Sequence, residues 1–211
     1  PFPGAKASAY DSGHRCPLLI RRPGDTSLRR CDGLVNWSDL LPTICDFLGI
    51  DVAGVEHPYP GRSMMPLLDD PKTPGWDSTF FAHSFHEVTN YYPYRAVRER
   101  RYKLVQNIAH QLPLPLATDL FSSPTWQAVV NDHLETMGVR QTERVLHHDY
   151  EELYDIEADP WETTNLMGQA EHEATAARLR EKLLTFRYQT HDPWLEVDYQ
   201  AGRVSERPNE M

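Results

Sequence analysis

Alternating apolar and polar positions predict a small β-sheet in the middle of the chain. Residues 79–88 have the composition of a strand, and residues 95–107 predict a hairpin that turns near Glu99 and Arg100. Because two strands alone are only marginally stable, we expect further strands to pair with this hairpin. Residues 152–156, ELYDI, have the composition of one such strand.

Apolar residues at helical spacing predict two helices that begin at capping residues. Residues 38–49 form the first, with Ser38 as the expected N-cap and Gly49 as the stop. Its expected apolar face consists of Leu40, Leu41, Ile44, Phe47 and Leu48. Residues 123–138 form the second, in which Ser123 precedes a proline at the first helical position.

The longest periodic stretch predicts a helix over residues 170–189. Its opposite face is rich in arginine and glutamate, so we expect the helix to lie across the sheet with its apolar side inward. The apolar face consists of Ala176, Leu179, Leu183 and Phe186.

Four further segments have less regular patterns. The apolar run in residues 14–20, which is bounded by prolines, predicts a buried strand. Residues 51–76 are rich in proline and glycine and predict a surface crossing between two units. The polar residues 199–211 predict a loose tail. The N-cap, N1 and N3 positions of a tight helical turn are expected at Asp159, Pro160 and Glu162.

Charge and hydropathy exclude two classes of partner. The chain has 31 acidic and 21 basic residues and a net charge of −10, which argues against nucleic acid as a partner. No run of about 18 apolar residues is present, so we expect no membrane span. The short basic clusters at residues 21–22, 29–30 and 98–103 are expected to be solvated edges, and a local funnel for an anionic substrate is the alternative.

The three cysteines Cys16, Cys31 and Cys45 have no metal-binding spacing. Cys45 lies in an apolar helical pattern and is expected in the core. Cys16 and Cys31 are expected to be thiols, and a disulfide between them is the alternative.

Several segments, in this order, resemble the sulfatases of the alkaline phosphatase superfamily. The general likeness is carried by HRCPLLIRRPG, VNWSDLLPTICDFLGI, GRSMMPLL, RYKLVQN and ELYDIEADPWETTNL. A narrower likeness to the heparan N-sulfatases, or sulfamidases, is carried by PFPGAK, SFHEVTNYYPYRAV, LPLPLATDLFSSPTWQ and THDPW. The likeness is to the C-terminal portion of these enzymes only.

The resemblance implies an α/β architecture with two parts. Residues 1–75 would be the C-terminal end of the large catalytic α/β domain, and residues 76–211 would be the smaller C-terminal domain. We expect the smaller domain to be an antiparallel sheet of about four strands packed by a long helix.

The resemblance also implies cofactors that these residues do not supply. Family catalysis uses a Cys-x-Pro-x-Arg segment, whose cysteine becomes formylglycine, beside a divalent ion that is usually calcium. Cys16 and Pro17 are followed by two leucines, so Cys16 does not match. We expect the nucleophile and all metal ligands to lie in a preceding catalytic portion, which is then a partner of this chain. Residues 1–211 alone should be inactive, with the strand near residues 17–20 left as an exposed edge that favours aggregation.

Lys6 matches the basic residue that follows the metal-binding Asp-Asn pair in the family and contacts the sulfuryl oxygens. The resemblance therefore implies a catalytic and substrate-binding role for Lys6. Sulfamidases more often have arginine at this position, so Lys6 would act as a point charge and not as a fork. From the residues alone, an exposed lysine is the alternative.

His86 and Glu87 lie in the segment that carries the narrower likeness, in a loop that borders the substrate pocket in the family. The resemblance implies that they contact the glucosamine ring or its amine. The alternatives are hydrogen bonds between domains or a metal cluster with His83, although His-x-x-His on a strand directs the two rings to opposite faces.

Four other polar residues have no pattern that distinguishes them as site residues. Tyr10, Asp11 and His14 could line the mouth of the cleft, but their spacing is that of ordinary loop residues. Arg95 could bind a substrate carboxylate or a neighbouring acidic side chain, and the second is the more common arrangement.

Together these observations predict the C-terminal part of a sulfatase that hydrolyses sulfamate or sulfate groups of heparan-type glycosaminoglycan saccharides. The alternatives are a non-catalytic saccharide-binding or partner-binding module, and an O-sulfatase or phosphodiesterase of the same superfamily. The resemblance further suggests an exported or lysosomal enzyme that forms a homodimer.

Overall fold

A computed structural model describes residues 4–52 and 60–203 of the chain. Its helices are α1 (Asp11–His14), α2 (Leu40–Phe47), α3 (Met65–Asp69), α4 (Thr118–Phe121), α5 (Pro124–Asn131), α6 (Thr142–Leu146), α7 (Glu173–Gln189) and α8 (Leu195–Gln200). Its strands are β1 (Ser78–Phe85), β2 (Tyr91–Glu99), β3 (Tyr102–Asn107), β4 (Thr136–Met137), β5 (Arg140–Gln141) and β6 (Glu151–Asp155).

The chain divides into two compact units. One unit combines the N-terminal residues up to Cys16 with the chain from Phe81 onward, and the other unit is Pro17–Phe80. The predicted boundary near residue 75 concerns the domains of the full-length protein, and it stays a prediction.

The first unit contains the predicted antiparallel sheet of four strands, in the order β1-β2-β3-β6. The hairpin pairs Val97 with Leu104, and β3 then pairs Leu104 with Leu153 of β6. The strand at 79–88, the hairpin and the strand ELYDI are therefore confirmed, as is a fold in which a long helix packs on this sheet.

The long helix α7 packs against β2 and β3. Ala176, Leu179 and Leu183 are buried, as the periodicity predicted. Phe186 is only partly buried, and the next buried position is Arg187, which is 1% exposed. An arginine occupies this place because two aspartates neutralise its charge, as described below.

Alternate residues of β2 form an aromatic layer on one face of the sheet. Tyr92, Tyr94 and Ala96 pack with Val105 and with Ala9 of the N-terminal segment. The segment that carries Lys6 is therefore held directly on the core of this unit.

The helix predicted over residues 123–138 ends earlier. Ser123 is its N-cap, with its hydroxyl accepting a hydrogen bond from the Trp126 amide at 3.2 Å, as predicted. The helix stops at Asn131 because His133 adopts a positive φ of 51°. The chain then forms the short hairpin β4-β5 around Gly138.

The tight helical turn predicted at Asp159 is a non-helical turn. The Asp159 carboxylate accepts hydrogen bonds from the amides of Thr163 and Thr164, at 2.7 and 2.9 Å. Glu162 has a φ of 56°, so it cannot continue a helix, and its carboxylate points into the protein instead of capping the turn.

In the second unit, the helix predicted at 38–49 is confirmed as α2. The prediction of Ser38 as its N-cap is wrong. A capping box between Asn36 and Asp39 precedes the helix, with a 3₁₀ turn over Trp37–Asp39, and Ser38 lies within that turn. Asn36 caps because its own backbone is extended and its side chain reaches the Ser38 amide.

The predicted apolar face of α2 is largely exposed. The buried residues of α2 are Pro42, Thr43 and Cys45, so the opposite side of the helix faces the unit. Thr43 selects this side because its hydroxyl accepts a hydrogen bond from the Met64 amide at 2.8 Å. The exposed residues, from 45% to 61%, are Leu41, Ile44, Phe47 and Leu48.

The strand predicted at residues 14–20 is wrong. His14 ends α1, and residues 15–20 form no strand, with Leu19 96% exposed. None of the strands in the described residues pairs with this segment. An extended conformation there would therefore leave its backbone N–H and C=O groups without partners from a neighbouring strand.

Two weaker predictions fall partly on residues outside the described ranges. The crossing at 51–76 contains α3, and residues 53–59 lie outside the described part. The tail from residue 199 begins inside α8, so its first residues are ordered, and residues 204–211 lie outside the described part.

Candidate functional site

The N-terminal segment of residues 4–14 is a tightly folded loop. The Ser12 hydroxyl donates to the Gly4 carbonyl at 2.6 Å, and the Ser8 hydroxyl donates to the Ala5 carbonyl at 2.9 Å. Gly13 lies so close to the loop that a Cβ there would be 2.2 Å from the Ala5 carbonyl oxygen. The loop therefore holds the backbone of Lys6 in a defined position.

The Lys6 ammonium forms an ion pair with Asp119 at the start of α4. The Lys6 Nζ lies 2.8 Å from Asp119 Oδ2, and the side chains are 42% and 50% exposed. Lys6 is thus a solvent-accessible cation with one carboxylate partner, which an incoming anion would have to share or displace.

Glu87 lies in the β1-β2 loop and binds the same first turn of α4. The Thr118 amide donates to Glu87 Oε1 at 3.1 Å, and the Thr118 hydroxyl donates to Oε2. The loop is further held by Asn90, whose side-chain amide donates to the Leu116 carbonyl at 3.1 Å. His86 is exposed beside Glu87.

These contacts place the three predicted site residues together. Hydrogen bonds from Thr118 hold the pKa of Glu87 below its ordinary value, and the positive charges of His86 and Lys6 add to this effect. A hydrogen bond from Lys6 likewise lowers the pKa of Asp119. Near neutral pH both carboxylates of the cluster are therefore ionised.

The sequence analysis missed Thr118 and Asp119. They lie in the segment LPLPLATDLFSSPTWQ, which carries the narrower likeness, but nothing in its spacing separates them from other polar residues. Only the fold brings α4 beside Lys6, which is 113 residues away from Asp119.

A buried ion network fastens the Lys6 loop to the sheet. The Lys103 Nζ, which is fully buried, donates to the Ala9 carbonyl at 2.8 Å and lies 3.4 Å from Asp11 Oδ1. Glu162 forms a second ion pair with Lys103 and accepts a hydrogen bond from the Asp11 amide at 2.6 Å. Burial lowers the pKa of Lys103 to about 7, and the charge of Asp11 opposes this shift only in part.

Asp11 also pairs with Arg98, at 3.2 Å. Burial raises the pKa of Asp11, but the charges of Lys103 and Arg98 outweigh burial and hold this pKa below its usual value. Asp11 therefore acts as an anchor of the loop. Its carboxylate faces inward, whereas the sequence suggested a position at the mouth of the cleft.

Tyr10 and His14 also point into the unit. Tyr10 is 4% exposed, and the His14 Nε2 lies 2.9 Å from the Tyr94 hydroxyl. Burial lowers the pKa of His14 to about 4, and the nearby Lys103 contributes to the same shift. His14 is therefore neutral at pH 7.

The sequence model of one family, "N-sulphoglucosamine sulphohydrolase, C-terminal", matches residues 5–125. The chain belongs to this family. The matched range contains the whole cluster of Lys6, His86, Glu87, Thr118 and Asp119, and the likeness to sulfatases and among them to sulfamidases is confirmed.

Similar proteins are sulfatases, each longer than this chain. N-sulphoglucosamine sulphohydrolase of Homo sapiens is 33% identical over 92% of this chain and 41% of its own length. An ulvan-active sulfatase of Formosa agariphila is 26% identical over 85% of this chain and 33% of its own length. The chain therefore spans less than half of either relative.

A solved structure also matches. It is titled as a complex with the substrate D-glucosamine-2-N,6-O-disulfate, and it has a TM-score of 0.47 and 21% identity. It covers 73% of this chain and 24% of that protein.

Arg95 binds an acidic side chain, as the more common alternative predicted. Its Nη2 lies 2.8 Å from Asp192 Oδ1 and its Nε 3.0 Å from Oδ2. Arg187 pairs with Asp192 at 2.7 Å and with Asp198 at 2.6 Å. These buried pairs join the end of α7 and α8 to β2.

The residues present do not form a metal centre. Within residues 4–52 and 60–203, no group of three or more histidine, cysteine, aspartate or glutamate side chains is arranged to hold a metal ion. Calcium and formylglycine therefore stay predictions for the full-length protein.

The remaining sequence predictions concern the thiols and the membrane. Cys45 is buried and Cys16 and Cys31 are exposed thiols, so the disulfide alternative is wrong and the expected states are confirmed. No helix among the described residues is long and apolar enough to cross a membrane.

Proposed function

We propose that the full-length protein hydrolyses the sulfamate group of N-sulfated glucosamine in heparan-type saccharides, and that this chain forms the sugar-facing side of its active site. The observation that carries the proposal is the convergence of Lys6, His86 and Glu87 at the start of α4, inside the range that matches the sulphohydrolase family.

The charges of this cluster fit a sulfated amino sugar. Lys6 supplies a compact cation for sulfuryl oxygens, and it loses little when it exchanges Asp119 for them because both side chains are solvent-exposed. Glu87 and Asp119 are ionised acceptors for the hydroxyl and amine protons of the sugar. His86 is the third proposed contact to the same ring.

The reaction itself is assigned to groups outside this chain. We propose that formylglycine supplies the nucleophile and that a divalent cation, calcium by expectation, stabilises the sulfuryl charge in the full-length enzyme. The contribution of this chain is to bind and orient the saccharide. An exported or lysosomal location and a homodimer are parts of the same proposal.

An O-sulfatase is the second candidate. The ulvan-active sulfatase of Formosa agariphila, at 26% identity, shows that relatives at this distance act on another polysaccharide. The cluster itself does not contain a group that would reject an ester sulfate, so substrate preference must be measured.

The test is release of inorganic sulfate or phosphate by the full-length protein from three monosaccharide substrates. We expect kcat/KM for N-sulfoglucosamine to exceed that for glucosamine 6-O-sulfate and for glucosamine 6-phosphate by at least about tenfold each. A preference for the 6-O-sulfate would favour the second candidate. Absence of sulfate release from both sulfated sugars would contradict the proposed function.

A matched pair of variants tests the role of this chain. Lys6→Ala should lower kcat/KM for N-sulfoglucosamine by about a hundredfold, because it removes the positive charge that is proposed to contact the sulfuryl oxygens. Lys182→Ala is the control, since Lys182 also forms one partly exposed ion pair, with Glu99 at 3.0 Å. Equal effects of the two substitutions would show that Lys6 does not face the substrate.

A further inference from the structure

Arg140 is a buried guanidinium with no carboxylate partner among the residues that the structure describes. It lies on β5 and is 6% exposed, and its Nε is sealed from solvent without an acceptor. The other buried arginines differ in this respect, because Arg95 and Arg187 both pair with Asp192. The charge of Asp159 affects the pKa of Arg140, but the two side chains are too far apart to form an ion pair.

The guanidinium lies against the segment that carries Lys6. Its carbon is 4.0 Å from the centroid of the Tyr10 ring. A Cβ at Gly4 would be 3.2 Å from the Arg140 Nη1, so the absence of a side chain at Gly4 leaves room for the guanidinium. Gly4 and Lys6 are two residues apart, which limits their Cα separation to about 7 Å.

The contacts of Arg140 among the described residues include no negative charge that pairs with the guanidinium. Burial lowers the pKa of Arg140, because it removes the guanidinium from water without supplying a carboxylate. The ring of Tyr10 attracts the cation, but burial also raises the pKa of the Tyr10 phenol, so that ring stays neutral at physiological pH. The Nε of Arg140 lacks an acceptor among the described residues, and the planar fork of a guanidinium can bind an oxyanion through two parallel hydrogen bonds.

We propose that Arg140 binds a second anionic group of the saccharide, either the carboxylate of a neighbouring uronic acid or a further sulfate, while Lys6 faces the sulfuryl group that is removed. This inference rests on the proposed function and names its substrate class as saccharides with at least two anionic groups.

The first experiment compares substrates in the full-length protein and its Arg140→Gln variant. The substrates are N-sulfoglucosamine, its 6-O-sulfated form, its disaccharide with a uronic acid, and the same disaccharide with the carboxyl group reduced to an alcohol. Arg140→Gln should raise KM at least about tenfold for one of the two doubly charged substrates. Its effect on N-sulfoglucosamine and on the reduced disaccharide should stay within about twofold.

The affected substrate identifies the bound anion. Loss confined to the uronic acid disaccharide assigns the carboxylate, and loss confined to the 6-O-sulfated sugar assigns the sulfate. Arg144→Gln is the matched control, since Arg144 is 59% exposed and pairs with Asp149 on the surface. An equal loss on all four substrates, or no loss on any of them, would overturn the proposal.

A binding measurement separates this inference from the proposed function. Calorimetric titration of the full-length protein with the uronic acid disaccharide and with the 6-O-sulfated sugar should show binding that Arg140→Gln weakens, whether or not sulfate is released. Arg140-dependent binding without turnover would contradict the proposed function alone. Turnover without any dependence on Arg140 would contradict this inference alone.

A second variant covers the case in which Arg140→Gln does not fold, as judged by its thermal unfolding. Arg140→Lys keeps the charge but loses the fork, so it should bind the doubly charged saccharide with an affinity several-fold below that of the unmodified protein. If the unmodified protein binds singly and doubly charged saccharides equally well, Arg140 has no second anion to bind and the proposal is wrong.

Discussion

Asp119 determines how available the Lys6 ammonium is. The two side chains form an exposed ion pair at 2.8 Å, and such pairs exchange partners at little cost. An anion that binds Lys6 therefore competes with Asp119, and its negative charge is also repelled by Glu87. The site should thus select a ligand that brings hydroxyl or amine donors together with its sulfuryl group, as an amino sugar does.

The substitution Asp119→Asn should strengthen binding of a simple anion. It removes the competing charge, so inorganic sulfate should inhibit the full-length enzyme at a concentration about two- to fivefold lower. The inhibition constant for sulfate is the measurement, at fixed ionic strength. Asp149→Asn, which removes an exposed partner of Arg144, is the control. Weaker inhibition by sulfate in Asp119→Asn would show that Asp119 helps to bind the anion.

At the scale of elements, the loop of residues 4–14 is held by the β3 strand and by the turn after β6. Lys103 provides the contact from β3, and Glu162 provides the contact from the turn. Both side chains are fully buried, so neither charge can be solvated if its partner is removed.

The substitution Glu162→Gln should therefore be strongly destabilising. Loss of one member of a buried ion pair costs up to about 3–5 kcal/mol, and the buried Lys103 would then keep Asp11, at 3.4 Å, as its remaining carboxylate partner. Glu99→Gln is the control, since Glu99 pairs with Arg178 and Lys182 near the surface and its loss should cost less than about 1 kcal/mol. Urea unfolding of the full-length protein, followed by hydrogen exchange in residues 4–14, measures both. Similar costs would contradict the assigned anchor.

The docking of this loop should also depend on pH through His14. Burial lowers the pKa of His14 from 6.5 to about 4, so the docked state favours the neutral ring and an undocked loop takes up a proton. Stability is therefore complete above pH 6.5 and is lost as the pH falls toward 4, by at most about 3 kcal/mol.

Hydrogen exchange of residues 8–15, corrected for intrinsic rates, should show more frequent opening at pH 5 than at pH 7. His14→Gln removes the titration and retains a side chain that can bond the Tyr94 hydroxyl, so this difference should shrink. Asp11, whose pKa is lowered, loses its contribution only at more acidic pH and does not produce the same signal. If opening still differs as much between pH 5 and pH 7 in His14→Gln, His14 is not the cause of the difference.

Local sequence patterns predicted those elements whose stability is local. The hairpin and α7 follow from alternation and from helical spacing, and the Ser123 cap follows from its neighbouring proline. Patterns failed where one distant contact decides the structure. Thr43 turns α2 by bonding Met64, Glu162 leaves its turn to reach Lys103, and Asp119 meets Lys6 only in the fold.

The candidate site was predicted in part. Lys6, His86 and Glu87 came from the resemblance, and their roles stay predictions. Their shared contact with α4 was not visible, because Thr118 and Asp119 have no distinctive spacing and approach from more than thirty residues away along the chain. The unpaired state of Arg140 can be recognised only when all neighbouring carboxylates are placed.

On the scale of the whole molecule, exposed apolar side chains concentrate in one part of the chain. Among the described residues, ten of the twenty exposed large apolar side chains lie in residues 17–52, including Leu19 at 96% and Leu28 at 101%. Apolar groups at this density favour association with another surface.

Residues 1–211 in isolation should therefore associate and should release no sulfate. Size-exclusion chromatography with light scattering should show species larger than a monomer, and assays with N-sulfoglucosamine should show no turnover, since the chain contains no Cys-x-Pro-x-Arg segment. Leu19→Ser with Leu28→Ser should reduce the association. A soluble monomer with a sharp two-state melt, or robust turnover, would contradict this prediction.

The central claim is that this chain recognises the sugar of a sulfated amino-saccharide through the loop that holds Glu87. The most direct measurement is the ratio of kcat/KM for N-sulfoglucosamine to that for glucosamine 6-O-sulfate, in the full-length protein and in Glu87→Gln. Glu87→Gln should raise this ratio by about tenfold, because the Glu87 carboxylate bonds the free ammonium of glucosamine 6-O-sulfate more strongly than the N–H of the anionic sulfamate. A ratio that stays the same in Glu87→Gln would contradict the claim.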